Sequence, residues 1–476
     1  MMDSSKVLEI FKEITRIPRE SGHEEAMRAY LQKFAKERNL ACKTDEVGNV
    51  CITKEASKGK ENVPALVLQG HQDMVCEKRS GVAHDFSKDP IKYEIEDGWM
   101  VAKDTTLGAD DGIGDAAMLA LLDSDLPMGK IECVFTVSEE TGMDGAFGMQ
   151  PGFFTGKTMI NVDSEDEGQM FIGCAGGVDT LAHFKYHAVN FNNSYKTLHL
   201  HIFNGLGGHS GDDINKGRMN TLSTLAKFLS KELENEEFQL IVLKGGGKPN
   251  AIAREAEAVI AAVDVKGVED RFFKFMEEAV KEYAETDPDI KYTAAGCQCT
   301  EKPMDSKDAD ALVRALAACP HGVIAMSKDV PGLVETSTNL ASVSMHQMGE
   351  VEVVTSQRSS DKAELKEIAE KVAEVFRKAG AEVEHVSEYP GWKPNPKSHI
   401  LDVCVSSYKK LFGKEPEIKA IHAGLECGLF GEKFGNLDMI SFGPTLRNVH
   451  TPGERLDLDS LDKFVKHLTD VVTSFS

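Results

Sequence analysis

The sequence predicts an α/β domain with a mostly parallel sheet, interrupted by an inserted α+β domain. Three observations carry this expectation. Apolar runs alternate with helical patterns over residues 49–162, the order changes to β-α-β-β-α-β from about Lys196, and the first rhythm resumes after the proline-punctuated segment Tyr389–Pro396. Strand–helix alternation is the pattern of a parallel sheet covered by helices, and the split βαβ order is that of small ferredoxin-like domains.

The elements run in order from the N-terminus. Val7, Leu8, Phe11 and Ile14 keep helical spacing, and Ser21-x-x-Glu24 reads as a capping box opening a second helix with Met27, Leu31 and Phe34 inside. Strands at Asn49–Thr53, Ala65–Leu68, Ile131–Val137 and Met159–Val162 alternate with a helix near Asp115–Leu122. The insertion begins with strand Leu198–Phe203, helix Thr221–Leu233, strands Phe238–Leu243 and Ala256–Val263, helix Arg271–Tyr283 and strand Ile290–Ala294. A weaker echo comes next: helix Ala309–Ala318, strands Ala341–Met345 and Val351–Thr355, helix Lys362–Lys378 and strand Glu382–Val386. The insertion is thus expected to be a doubled ferredoxin-like module over residues 189–393, set between residues 1–188 and 394–476 of the interrupted domain.

Bulk properties narrow the function. With 476 residues, more than one core is expected. A net charge of −23 without a Lys/Arg run argues against nucleic acid or an anionic membrane surface as partner. No apolar run approaches the ~20 residues of a membrane span. The stretch Met1–Leu8 lacks the basic start and apolar core of a signal peptide. Cysteines scattered inside apolar segments (Cys51, Cys133, Cys404) suit buried thiols of a reducing compartment, so a cytoplasmic location is expected.

Acidic residues and histidines recur where apolar runs end. The strand Leu66–Leu68 runs into Gln69-Gly70-His71-Gln72-Asp73, and residues two apart on an extended backbone face the same way. Asp73 can therefore orient the His71 imidazole, as a metal-ligating histidine requires. Asp110-Asp111 lies between glycines ahead of a helix, strand 131–137 runs out into Glu139-Glu140, Met159–Val162 ends on Asp163, and His450 sits in a late loop. Each alone fits a solvated loop. Together they place two histidines and several carboxylates where the carboxyl ends of parallel strands line one crevice. Imidazole and carboxylate donors without thiolates suit zinc, cobalt or manganese, and five ligands with one shared acid suffice for two metals about 3.5–4 Å apart. Glu139, beside Glu140, is then a spare acid able to serve as general base on water.

At these residues the chain resembles the co-catalytic zinc peptidase family that includes carboxypeptidase G, aminoacylase, peptidase T and carnosinase, and most nearly its bacterial aminoacyl-histidine dipeptidase branch. The resemblance spans essentially the whole chain, most specifically GHQDMV, TTLGADDGIG, SEETGMDGA, FNGLGGHSGDDI and IHAGLECGLF. It implies a phosphorylase/hydrolase-like catalytic domain whose insertion is a lid, two Zn2+ per subunit (with Co2+ or Mn2+ able to substitute), and dipeptide substrates of aminoacyl-histidine type. His71 and Asp163 would serve one metal, Glu140 and His450 the other, and Asp110 would bridge them. Glu139 would be the base, and the Asp110–Asp111 peptide would be cis. In the lid, His209 would stabilise the oxyanion, with Asn250, Arg358 and Gly424 holding substrate. His422 is the other late histidine, but its distance from the C-terminus favours His450 as ligand.

One departure stands out: the relatives mostly carry Asn where this chain has Asp111, which would make the site more negative or alter metal preference without removing a ligand. The same site chemistry would serve a tripeptide aminopeptidase or an N-acyl-amino-acid amidohydrolase. A non-catalytic metal-binding scaffold would have lost the base or a ligand, whereas Glu139, Asp73 and all five presumed ligands are present. In many relatives a single lid supplies the oxyanion histidine across a dimer, whereas a doubled lid could place both halves around one site within a single chain; of the two, a homodimer is the expected assembly.

Overall fold

The computed structural model describes residues 2–235, 238–328, 330–346 and 349–476. These form two compact units: Met1–Gly173 with Trp392–Ala420 and Leu425–Ser476, and Cys174–Gly391 with Ile421–Gly424. Among the described residues no helix is long and apolar enough to cross a membrane.

The first unit is built on an eight-stranded sheet. Its centre is four neighbouring parallel strands, Ile131–Thr136, Leu66–His71, Thr158–Asn161 and Asp438–Ser441. Val50–Lys54 and Gln169–Cys174 flank them antiparallel. The first two central strands are buried at every residue, as expected for strands covered by helices on both faces. Helices Ser4–Ile14, Ala109–Leu122 and Leu458–Ser474 contribute Phe11, Met118, Leu121, Phe464 and Leu468 to one continuous core drawn from both ends of the sequence. A small second sheet pairs Leu446–Arg447, Arg455–Asp457, Trp99–Val101 and Glu94–Glu96.

The second helix runs Glu25–Glu37 with Glu24 at its N-cap and no side-chain cap bond, so the expected capping box does not form. Tertiary partners take both side chains instead. Ser21 donates to Asp73 Oδ2 at 2.7 Å, and Glu24 Oε1 accepts from the Ser138 amide and hydroxyl, each at 3.0 Å.

The second unit carries a nine-stranded sheet. Its first half, in spatial order Lys291–Gly296, Lys196–Phe203, Ala256–Ala262 and Phe238–Gly246, is a ferredoxin-like module with helices Thr221–Asn235 and Val265–Glu282. Its second half repeats that order from the opposite edge, through Val334–His346, Glu350–Ser359, Gly176–Lys185 and Glu382–Tyr389, and the ninth strand, Gly322–Met326, pairs with Val334–His346. The first strand of this second module, Gly176–Lys185, precedes the whole first module in sequence. That explains why the second repeat reads as only a weak echo in the sequence after residue 300. The halves join edge to edge where Gly245 and Gly246 pair with Val343 and Ser342. Leu225, Phe272, Leu340, Val372 and Phe376 fill the common core.

Candidate metal centre and substrate-side cluster

Parallel strands end together, and the side chains they deliver meet. Leu66–His71 ends on His71, Ile131–Thr136 runs on through Ser138 (φ +50°) to Glu139 and Glu140, and Thr158–Asn161 runs on to Asp163. Asp110 enters from the first turn of helix Ala109–Leu122, where Asp110 and Asp111 leave helical dihedrals and their peptide bond is cis. His450, at φ +63°, comes from the loop between Leu446–Arg447 and Arg455–Asp457.

Asp110 stands at the centre. Its Oδ1 lies 3.0 Å from His71 Nε2, which is also 3.4 Å from Asp163 Oδ1. Its Oδ2 lies 3.0 Å from His450 Nε2, which is also 2.9 Å from Glu140 Oε1. One carboxylate thus faces two separate histidine–carboxylate pairs. Three triads of donor atoms, His71/Asp110/Asp163, His71/Glu139/Glu140 and Asp110/Glu140/His450, each fall within 4.8 Å.

The electrostatics suit a cation. Burial pushes the Glu139 and Asp163 carboxyls well above the ordinary carboxylate range, and the neighbouring acids push them further. Burial opposes the charged form of His71, yet Asp163, Asp110 and Asp73 outweigh it and raise its pKa well above normal. Hydrogen bonds to Asp110 and Glu140 raise His450 to about 11. Four half-buried acids crowd two histidines here, and the nitrogen and oxygen donors suit hard or borderline divalent metals with exchangeable positions. The residues present fit such ions.

Asp73 is fully buried and supports both histidine and acids. His71 Nδ1 lies 3.2 Å from the Asp73 carbonyl and 3.5 Å from its carboxylate. That carboxylate also accepts from the amides of Glu139 at 3.0 Å and Glu140 at 3.2 Å. The expected His71–Asp73 contact is present, and Asp73 additionally holds the peptides of Glu139 and Glu140. Asp111 is buried among protein atoms, with Oδ2 lacking a hydrogen-bond partner among the described residues. Burial first, and Asp163 next, push its carboxyl well above the normal range.

The other four expected residues lie together in the second unit. The amides of Gly211 and Asp212 point at His209 Nδ1 from 3.3 and 3.2 Å, and the Asp212 carboxylate lies 3.5 Å from the same atom, so Nε2 is the ring nitrogen left without a partner from this loop. The Ser210 amide donates to the Asn250 carbonyl at 2.8 Å, bringing Asn250 beside the His209 loop. Arg358, buried to 7 %, donates from Nη1 to Tyr389 Oη at 2.8 Å and from Nε to Ser210 Oγ at 3.4 Å. The Tyr389 ring lies so close to Gly424 that a Cβ there would sit 2.8 Å from it. His422 belongs to this unit and pairs with Ser337 Oγ at 2.7 Å, outside the three donor triads. Tyr389 and Ser210 are the organisers that sequence reading missed: Tyr389 looks like the start of a linker, and only its packing shows that it joins Arg358 to Gly424.

Comparison with known proteins bears on the family and the fold. The family model described as peptidase family M20/M25/M40 matches residues 67–474. The cytosol non-specific dipeptidase of Escherichia coli (strain K12) is 38% identical over 467 residues, covering 98% of this chain and 96% of that protein. Aminoacylhistidine dipeptidase from Vibrio alginolyticus has a similar structure, with a TM-score of 0.93 at 36% identity, covering 100% of this chain and 98% of that one. Aminopeptidase PepT from Bacillus cereus shares the fold, with a TM-score of 0.59 at 17% identity over 99% of this chain and 98% of that one.

Proposed function

The chain belongs to peptidase family M20/M25/M40, a family of metal-dependent peptidases, and from that premise we propose that it is a dinuclear zinc dipeptidase of the cytoplasm. The observation that carries this reading is Asp110, each of whose oxygens faces its own histidine–carboxylate pair. His71, Asp163 and Asp110 would hold one zinc, and His450, Glu140 and Asp110 the other, with cobalt or manganese able to replace them. When bound, the cations polarise the scissile carbonyl and lower the pKa of water from about 15.7 to about 7.

The chain's own groups supply the rest. Glu139 takes the proton of the attacking water and returns it to the leaving nitrogen, a role suited to a buried carboxyl whose pKa is raised. Asp73 keeps the Glu139 and Glu140 peptides in place. In the second unit we assign His209, through its Nε2–H, to a developing oxyanion, Arg358 to a substrate carboxylate by its guanidinium fork, and Asn250 and Gly424 to the substrate backbone. We assign the chain aminoacyl-histidine and other unbranched dipeptides as substrates; the similarity to the aminoacylhistidine dipeptidase of Vibrio alginolyticus supports the first, and that to the non-specific dipeptidase of E. coli supports a wider range. A homodimer is the assembly we assign, and a scattering mass equal to the 52.0 kDa chain would overturn it.

The test is hydrolysis of β-Ala-His, Gly-His, Ala-Ala, a tripeptide and an N-acyl amino acid by chelated protein reconstituted with zinc, cobalt or manganese. Dipeptide cleavage that returns with metal supports the reading. Cleavage restricted to the tripeptide or the N-acyl substrate would refute dipeptidase activity. Arg358→Lys is expected to raise KM at least tenfold with little change in kcat, and His209→Gln to lower kcat; the reverse pattern would overturn these two assignments.

A further inference from the structure

His450 is the ligand with the least packing around it: its side chain is 49% exposed, against 1% for His71 and 11% for Asp110. A loop so placed does not hold an imidazole to within the few tenths of an ångström that metal coordination needs. Four residues further on, Glu454 is buried to 2%. Its Oε2 accepts from the amides of Leu107 at 2.7 Å and Gly108 at 3.0 Å, and its Oε1 from those of Ala109 at 2.8 Å and Asp110 at 3.4 Å. One carboxylate therefore gathers four consecutive amides at the start of helix Ala109–Leu122, where the helix dipole and the left-handed Gly108 (φ +70°) aim them at an anion.

The same segment is gripped from its carbonyl side. Arg19, 1% exposed, donates from Nη2 to the Gly108 carbonyl and from Nη1 to the carbonyls of Asp73 at 2.7 Å and Gln72 at 3.2 Å. A Cβ at residue 108 would lie 2.5 Å from Arg19 Nη2 and 2.7 Å from Met74 Sδ, so only glycine allows this approach. The His450 loop is tied in as well, through the Gly453 amide to the Ala102 carbonyl at 2.9 Å and the Ala102 amide to the Glu454 carbonyl at 3.1 Å.

We propose that Glu454 is a positioning residue that locks the His450 loop to the Leu107–Asp110 segment, so that the bridging aspartate and the exposed histidine present their donor atoms as one rigid pair. The proposal rests on the two-metal reading above. Glu454 touches none of the donor atoms; it acts through the backbones that carry Asp110 and His450.

The test compares wild type with Glu454→Gln and Glu454→Asp. Glutamine keeps the shape but turns an NH2 group toward two of the four amides. Zinc is titrated into chelated protein by competition with a chelator, the visible spectrum is recorded with Co2+, and melting is followed with and without zinc. In Glu454→Gln the second zinc, the one assigned to His450, Glu140 and Asp110, is expected to bind about 10–100-fold more weakly, as for removal of other outer partners of metal ligands, while the first, which shares only Asp110 with this clamp, weakens less. The Co2+ spectrum of the second ion changes, and zinc raises the melting temperature less than in wild type. Should Glu454→Gln not fold, Glu454→Asp, which keeps the charge but withdraws it by one methylene, is expected to show the same selective loss. Two zinc ions bound with wild-type affinities and an unchanged Co2+ spectrum in the variants would overturn the proposal alone. Fewer than two zinc ions in wild type would overturn the two-metal reading, and this proposal with it.

Discussion

Replacing Asp73 by asparagine removes one charge and swaps one oxygen for an NH2 group, and the neighbouring donors decide which oxygen gives way. Oδ1 faces the Glu139 amide at 3.0 Å and His71 Nδ1 at 3.5 Å, while Oδ2 faces the Ser21 hydroxyl at 2.7 Å and the Glu140 amide at 3.2 Å. If the amide nitrogen replaced Oδ1, the Glu139 amide would lose its acceptor and the imidazole would face a second donor. If it replaced Oδ2, Ser21 could rotate to accept, and only the Glu140 amide would be orphaned. The second rotamer is therefore the better one, and one unsatisfied N–H costs about 1–3 kcal/mol. The cost falls on the peptide that carries a presumed metal ligand. Asp73→Asn is thus expected to lower unfolding free energy by about 1–3 kcal/mol and zinc affinity by about 10–100-fold. Denaturant titration of zinc-free protein and zinc titration against a chelator measure the two effects. Wild-type stability together with wild-type zinc affinity would refute the reasoning, because it would mean that the four contacts carry no net energy.

Other outcomes rest on the same geometry. Glu139→Gln should retain two zinc ions and lose about 10²–10⁴ in kcat, read from metal analysis and dipeptide hydrolysis; loss of a zinc instead would make Glu139 a ligand. Asp111→Asn replaces a carboxyl that burial pushes well above the ordinary range with a near-isostere, so kcat/KM should stay within about threefold; a larger change would show that Asp111 carries charge in the working site. Burial lowers His467 from 6.5 to about 4, with its Nε2–H donating to the Cys404 carbonyl at 2.9 Å. The unfolded chain takes up this proton first, so the stability due to neutral His467 is complete above pH 6.5 and is lost as pH falls toward 4, at about 1.4 kcal/mol per pH unit. His467→Gln should show a shallower decline across that window in denaturant titrations, and an unchanged slope would refute the assignment.

The residues of the candidate metal centre were legible because their signal is local. A hydrophobic run that stops on His71, Glu139–Glu140 or Asp163 marks both a strand and the functional group at its end, and parallel strands deliver their ends to one edge. Asp73 was legible for the same reason, since the two-residue period of a strand relates it to His71 without any knowledge of the fold. Ser21 and Glu24 misled, because a short-range capping pattern competes with partners more than fifty residues away, and here Asp73 and Ser138 won. The doubled module of the second unit was only half visible, since its missing strand, Gly176–Lys185, pairs across the sheet with Glu350–Ser359.

By itself, then, the sequence determined the strand ends, the donor types and the interrupted order of the α/β layer, all of which depend on residues close along the chain. Tertiary structure alone decided that Tyr389 joins Arg358 to Gly424 and that Arg19 and Glu454 clamp the segment bearing Asp110. A buried arginine and a buried glutamate look like any charged surface residue in a sequence. What distinguishes them is that backbone amides and carbonyls, which carry no residue-specific mark, stand in for an ionic partner, and those groups come together only when distant segments pack.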